Sequence, residues 1–374
     1  MKKRKKRSVL RSIVLGIVLG IVALQFEESY LVQSVIMGRY LEFYGVTLAA
    51  LAASLLVHTI IHELGHLIFG LLTGYRFSSF RVGSLMLMTE QGRLVLRRHS
   101  IPGTAGQCLM APPALRDGRM PVVLYNLGGS IANLIASIPL LLLALTVPIG
   151  SVWAYIWGLV ASVGVTSALT NAIPNGNGMV FNDGYNARSL LRDVQAVRAV
   201  WIQLEVNHRQ SQGERIADMP ADWFAMPTEA QMQNNLTAAL AVLHADRILA
   251  EERLEEADVL MAELIAGENA IAPIHRSLLQ MQRLWLEVMQ QNRPEVVKEL
   301  LTDDLKQLMK AMKRYPPVIR MEYALAMLQD RDERQAEKCL RRFEKAAKRY
   351  AYRVQIADER KALEAIREKA KELS

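Results

Sequence analysis

The sequence predicts an all-α polytopic membrane protein with a small β-hairpin and a C-terminal cytoplasmic α-helical domain. Three observations carry that prediction. No Asp, Glu, Lys or Arg occurs between Arg119 and Asp183, a charge-free length that no soluble domain needs. Four apolar stretches reach or approach the ~20 helical residues that cross a ~30 Å hydrocarbon core. From about Ala187 the composition turns soluble and helical, with charges of both signs and Gly267 the one glycine after Gly213.

The basic balance is local. The first 120 of 374 residues hold fifteen Lys and Arg against six Asp and Glu, and the remainder is close to neutral, so the net charge of +8 belongs to one third of the chain. A basic stripe interleaved with apolar spans is what membrane topology produces, which makes the lipid bilayer the expected partner and argues against nucleic acid. Cys108 and Cys339 lie in segments of different character, imply no disulfide framework and fit a reducing compartment.

Three regions follow: an N-terminal anchor with an external or interfacial segment over 1–45, a core of three spans and a hairpin loop over 46–190, and a cytoplasmic helical domain over 191–374. The first span runs from about Val9 to Phe26 behind the basic run Lys2 to Arg7. It lacks a small-residue cleavage pattern before Glu27 and so reads as an uncleaved anchor rather than a removed signal. Between Glu27 and Tyr44 the apolar residues Leu31, Val35, Ile36, Tyr40 and Leu41 suit a helix lying in, or re-entering, the interface.

The second span covers about Gly45 to Gly74, the third Pro121 to Val147 and the fourth Ser151 to Pro174, with only Pro148, Ile149 and Gly150 between the last two. Seven arginines between residues 75 and 120 place that segment, and with it the basic N-terminus, in the cytoplasm. Both termini are then cytoplasmic, with the cell membrane as location. Trp153, Tyr155 and Trp157 fall where an outer aromatic belt would put them.

Inside the second span stands His62-Glu63-Leu64-Gly65-His66, an HExxH pattern. Residues four apart share one helix face, so both imidazoles can reach one zinc ion while Glu63 faces its water as general base. A carboxylate in so apolar a run calls for a polar, hydrated cavity. His58, one turn earlier, is a supporting partner, an alternative ligand or a hydrogen-bonding core residue. A third ligand is needed, and Asp183 is the first acidic residue after the charge-free stretch, just beyond Pro174, Gly176 and Gly178. Its other reading is a helix N-cap.

These residues resemble the site-2 protease family of intramembrane zinc metalloproteases, which combine a membrane-embedded HExxH with a later Asn-x-x-Pro…Asp-Gly motif. Asn171, Pro174, Asp183 and Gly184 match that second motif, and Gly129 to Asn133 matches the family's Gly-x-x-x-Asn span. The likeness covers roughly residues 46–190. It implies a zinc endopeptidase that hydrolyses peptide bonds of membrane-spanning or membrane-associated substrates, with His62, His66 and Asp183 as ligands and Glu63 as base. Asn171 would steady an oxyanion or the substrate backbone; on structural grounds it would only cap a broken helix end. In relatives the Asn and the Asp-Gly lie closer together, and a further glycine stands where this chain has Tyr185.

Two other classes remain open at this stage. One is a membrane-embedded zinc peptidase that trims soluble or lipidated peptides, with Glu205 as third ligand. The other is a non-catalytic membrane scaffold whose helical tail recruits a protein partner. Cys108 offers a nucleophile on paper, but His99, its nearest histidine in sequence, has no recognisable partner role.

Phe80 to Met88 and Arg93 to Arg97, around a turn at Glu90 to Gly92, read as a β-hairpin beside the site, whose edge could hold an unwound substrate. Pro102 to Pro113 reads as an irregular or re-entrant loop. In the tail, Met321, Ala324, Leu325 and Leu328 and then Ala336, Cys339, Leu340 and Phe343 keep one-face helical spacing, as do Leu236, Ala239 and Leu243 with Ala257, Leu260 and Leu264. These pairs look tetratricopeptide-like and predict an α-solenoid; the last helix, Asp358 to Leu373, reads as solvated.

Overall fold

The computed structural model describes residues 28–100, 104–175 and 181–372. The first expected span, Val9 to Phe26, lies outside the described residues. The chain forms two compact units. One holds the described residues up to Arg76, Ala105–Cys108 and Met120–Asp193; the other holds Phe77–Thr104, Leu109–Arg119 and the residues from Val194 onward.

The first unit is helical. Helix α1 covers residues 28–36, followed by α2 (Tyr40–Leu72), α3 (Val123–Thr146), α4 (Val152–Ala172) and α5 (Asp183–Arg192). Helices α2, α3 and α4, of 33, 24 and 21 residues, are long and apolar enough to cross a membrane. At 1.5 Å per residue even the shortest reaches ~31 Å. α2 starts earlier than the expected Gly45. The chain breaks instead at Gly38, which sits at φ +66°, so Tyr40 and Leu41 join the long helix and do not form an interfacial one. Gly74, at φ +88°, ends it.

Helix α2 is inverted relative to a soluble helix. It buries Ser54, His58, Glu63, Gly65 and His66 and exposes Leu48, Leu55, Leu56, Ile68 and Leu72. A stripe of that size facing outward needs an apolar surround. Helices α2 and α3 touch through glycine: a Cβ on Gly128 would stand 2.7 Å from the Gly65 carbonyl oxygen, the close backbone approach that small residues permit. Tyr155, expected in an outer belt, is buried. It stacks on Tyr30 with ring centroids 5.1 Å apart and shares a 2.8 Å hydrogen bond with Thr47, while Trp153 stays exposed.

The strands form one sheet of β1 (Arg76–Val82), β2 (Leu85–Glu90), β3 (Arg93–Arg98) and β4 (Gly106–Ala111), in the order β3-β2-β1-β4. The pairs β1–β2 and β2–β3 are antiparallel. The expected first strand is thus two, because Gly83 at φ +58° turns the chain between Val82 and Leu85. Gln91 and Gly92, both at positive φ, make the second turn. Gly106 to Ala111 is a strand, correcting the loop expected there: Pro112 and Pro113 come only after its last residue. β2 alternates, with Met86 and Met88 buried and Leu85 and Leu87 exposed.

Those two methionines enter the main core of the second unit, built with α9 (Pro273–Met289), α10 (Pro294–Leu300), α11 (Asp303–Ala311), α12 (Pro316–Leu328), α13 (Glu333–Ala347) and α14 (Arg353–Glu372). α12 and α13 bury the expected Met321, Ala324, Leu328, Ala336, Cys339 and Phe343. α14 is not simply solvated. Ile356, Leu363 and Ile366 repeat on one face and join this core. Before these helices come α6 (Val194–Ser211), α7 (Asn235–Ala250) and α8 (Leu254–Ala266). α7 turns Ala238, Ala241, Val242 and Ala245 towards α8, and Leu240 and Leu243 towards Trp223 and Phe224. Its second apolar face is why a single-stripe reading misplaces Leu243.

Candidate metal centre

The site is built from the middle of α2 and the first turn of α5. His62 and His66, one turn apart, direct their Nε2 atoms to a common point, 3.1 Å from each other. Asp183 Oδ2 completes the group at 3.0 Å from His62 Nε2 and 3.4 Å from His66 Nε2. Ligands at 2.0–2.1 Å in a tetrahedron are ~3.3 Å apart, so the three edges match those of a metal's coordination shell. Among the described residues this is the one cluster of at least three His, Cys, Asp or Glu able to hold a metal ion.

Each donor is aimed by a neighbour. His66 Nδ1 lies 2.7 Å from the Tyr125 carbonyl oxygen. A carbonyl only accepts, so Nδ1 carries the hydrogen and the neutral ring keeps its lone pair on Nε2, the atom facing the cluster. His62 lies flat on Gly129, where a Cβ would come within 2.6 Å of the ring. That is a physical reason for the first residue of the Gly-x-x-x-Asn segment. The last residue, Asn133, sets its amide oxygen 3.1 Å from His58 Nδ1, and His58 Nε2 lies 3.0 Å from the Val160 carbonyl oxygen. Both nitrogens of His58 are therefore used in joining helices, and it lies outside the cluster.

Asp183 is not the N-cap of α5. Asn182 is, accepting from the Tyr185 N–H at 3.0 Å. The same side chain donates to the carbonyls of Thr170 and Ile173 at 2.8 and 2.6 Å, strapping the start of α5 to the end of α4. Gly184 completes the join, because a Cβ there would strike the Ala172 carbonyl. Asp183 is thus released from capping and pointed at the histidines. Burial alone would raise its carboxyl, but the hydrogen bonds to His62 and His66 win and hold it well below the usual carboxylate range.

Glu63 is buried with its carboxylate against Gly106 of β4, where a Cβ would stand 2.7 Å from its Cγ. Asn171 donates its amide nitrogen to the Ser167 carbonyl at 2.9 Å. Glu205, on α6 in the second unit, is held by Arg209 at 3.0 Å and is not part of the cluster. Burial, and after it the Glu63 carboxylate, push the Cys108 thiol far up, which removes the thiolate a nucleophile needs. Asn182, Gly106 and Tyr125 were not singled out from sequence. An Asn three residues before a helical N–H is a legible cap signal; the other two act through tertiary contact alone.

Comparison with family models, curated proteins and solved structures gives no match. The functional reading therefore stands on the geometry and on the motifs.

Proposed function

We propose that the chain is a zinc metalloendopeptidase embedded in the membrane, acting on peptide bonds of membrane-spanning or membrane-associated substrates, as its motifs' resemblance to site-2 proteases implies. The observation that carries this is the convergence of both HExxH histidines with Asp183, from a separate helix. Two imidazoles and one carboxylate leave a fourth position open, the donor set of catalytic zinc. When bound, zinc supplies a water of lowered pKa and polarises the scissile carbonyl.

The chain's own residues do the rest. The Tyr125 carbonyl fixes the His66 ring, and Gly129 seats His62. Glu63 accepts a proton from the attacking water on a carboxylate oxygen and returns it to the departing amine nitrogen. The second N–H of Asn171 is the donor offered to the developing oxyanion. The inverted burial of α2 supports a lipid surround, and the arginines between 75 and 120 support cytoplasmic termini in the cell membrane. The helical second unit, tetratricopeptide-like in its pairing, is the surface for a protein partner.

Purification in detergent, with zinc measured and cleavage of a membrane-spanning substrate followed, tests the proposal. Wild type should carry about one zinc per chain; Glu63→Gln should keep the metal and lose roughly 10³-fold in cleavage. Asp183→Ala should lose the metal and Glu205→Ala should not. Equal cleavage by wild type and Glu63→Gln would sink the mechanism, and zinc lost from Glu205→Ala but retained by Asp183→Ala would move the third ligand.

A further inference from the structure

The second unit contains a cavity of about 640 Å³ between the β3 end of the sheet and helices α11 to α13. We propose that it binds a small soluble polyanion with an aromatic or apolar body, the class that nucleoside polyphosphates represent. Its rim carries Arg98, Lys313, Arg314, Lys345 and Arg349, and no Asp or Glu lines it. None of these five has an ion-pair partner among the described residues, although sixteen other pairs of Lys or Arg with Asp or Glu are formed there. Like charges gathered around a concavity repel one another, and an anion bound among them reverses that cost.

The walls are built rather than incidental. The Arg98 N–H donates to the Arg349 carbonyl at 2.7 Å, joining β3 to the end of α13. A sixth cation, Arg342, is paired with Glu322 and donates to the Lys313 carbonyl at 2.6 Å, which fixes the backbone under Lys313. Beneath the cations lie rings. Tyr315 and Tyr350 have centroids 5.9 Å apart, and His99 lies 5.8 Å from Tyr350 and 6.3 Å from Tyr315. Met312 and Ile319 complete the apolar floor. Burial pushes His99 down to about 4, so this ring is neutral at physiological pH and the attraction comes from the arginines and lysines. Charge at the rim and rings at the base match a ligand with phosphates at one end and a ring system at the other, and the volume lies in the range of small-molecule sites.

Calorimetric titration of the full-length protein in detergent with ATP, pyrophosphate and inorganic phosphate tests this, alongside flotation with phosphatidylcholine vesicles with and without phosphatidylglycerol. ATP should bind saturably at one site per chain, at least about tenfold tighter than pyrophosphate, the extra coming from the rings. The exposed-residue variant Lys313→Ala/Lys345→Ala/Arg349→Ala should weaken ATP at least about tenfold, while Lys313→Arg/Lys345→Arg/Arg349→Lys should retain it. Absence of saturable ATP binding, equal affinity in the alanine variant, or ATP no tighter than pyrophosphate would each overturn the proposal. So would vesicle binding lost in the alanine variant without any ATP binding, which would assign the cations to a lipid headgroup.

Discussion

At His66 the position of one proton sets the position of one lone pair, and the Tyr125 carbonyl decides both. The seven histidines of this chain are sorted by such neighbours more than by residue type. His58 spends both nitrogens on joining helices; His99 sits against Tyr315, Tyr350 and Tyr352. That packing predicts a pH effect. The unfolded chain protonates His99 near the ordinary 6.5, and the folded chain resists until about 4. Below pH 6.5 the unfolded state therefore binds the extra proton, and stability falls as pH drops towards 4 and then levels. At about 1.4 kcal/mol per unit the loss is at most roughly 3 kcal/mol. In thermal melts between pH 7.5 and 4, His99→Phe should show a shallower decline than wild type; parallel curves would show that His99 does not cause it. The pairing of His62 with His66 was legible in the sequence because i,i+4 spacing is local chemistry. Gly106 was not, since its meaning is the Glu63 side chain brought to it by folding.

Among elements, the contact between α2 and α3 bears most directly on the site, since it lies between His62 and His66. A Cβ on Gly65 would land on the Gly128 carbonyl and 2.7 Å from the Ala132 Cβ, backbone and short side chain that cannot rotate away. Gly45, on the same helix, has nothing within 4 Å of where its Cβ would stand. Gly65→Ala should therefore destabilise by roughly 1–3 kcal/mol, the usual cost of overpacking, and lower whatever metal the cluster holds, while Gly45→Ala leaves both unchanged. If the two variants behave alike in metal analysis and melting, the close crossing is wrong. The three long apolar helices were readable from length and apolar character alone, with boundaries moved only where glycine backbone angles decide them. The sheet was half readable. Hairpin alternation showed at Met86 and Met88, whereas a turn at Gly83 inside an apolar run, and a strand flanked by Gly and Pro at 106–111, carry little local signal. α5 needed the exchange of roles between Asn182 and Asp183, and two adjacent residues with the same capping preference do not reveal which one caps.

For the whole molecule, three helices long and apolar enough to cross a membrane raise the question of which side each loop would occupy. If α3 crosses the bilayer once, the segment ending at Arg119 and the loop 148–150 lie on opposite faces whatever the orientation. The charge bias then chooses the face: seven arginines lie between residues 75 and 120 and none in Pro148 to Gly150. Not all seven are free to act as topological signals. Arg81 is buried and donates to Gly83 and Thr104, and Arg97 is paired with Glu90, so the signal rests on the remaining exposed arginines. Single-cysteine reporters separate the two faces cleanly, because the native Cys108 and Cys339 are both buried. Leu94 and Ile149 are exposed to similar degrees, 64% and 67%, so a difference in labelling reports side and not burial. In intact cells a membrane-impermeant maleimide should label Ile149→Cys and should reach Leu94→Cys only after lysis. The opposite pattern would invert the orientation and put the second unit outside the cell. Labelling of both in intact cells would mean that α3 does not cross, and with it the reading of α2 to α4 as spans would fall.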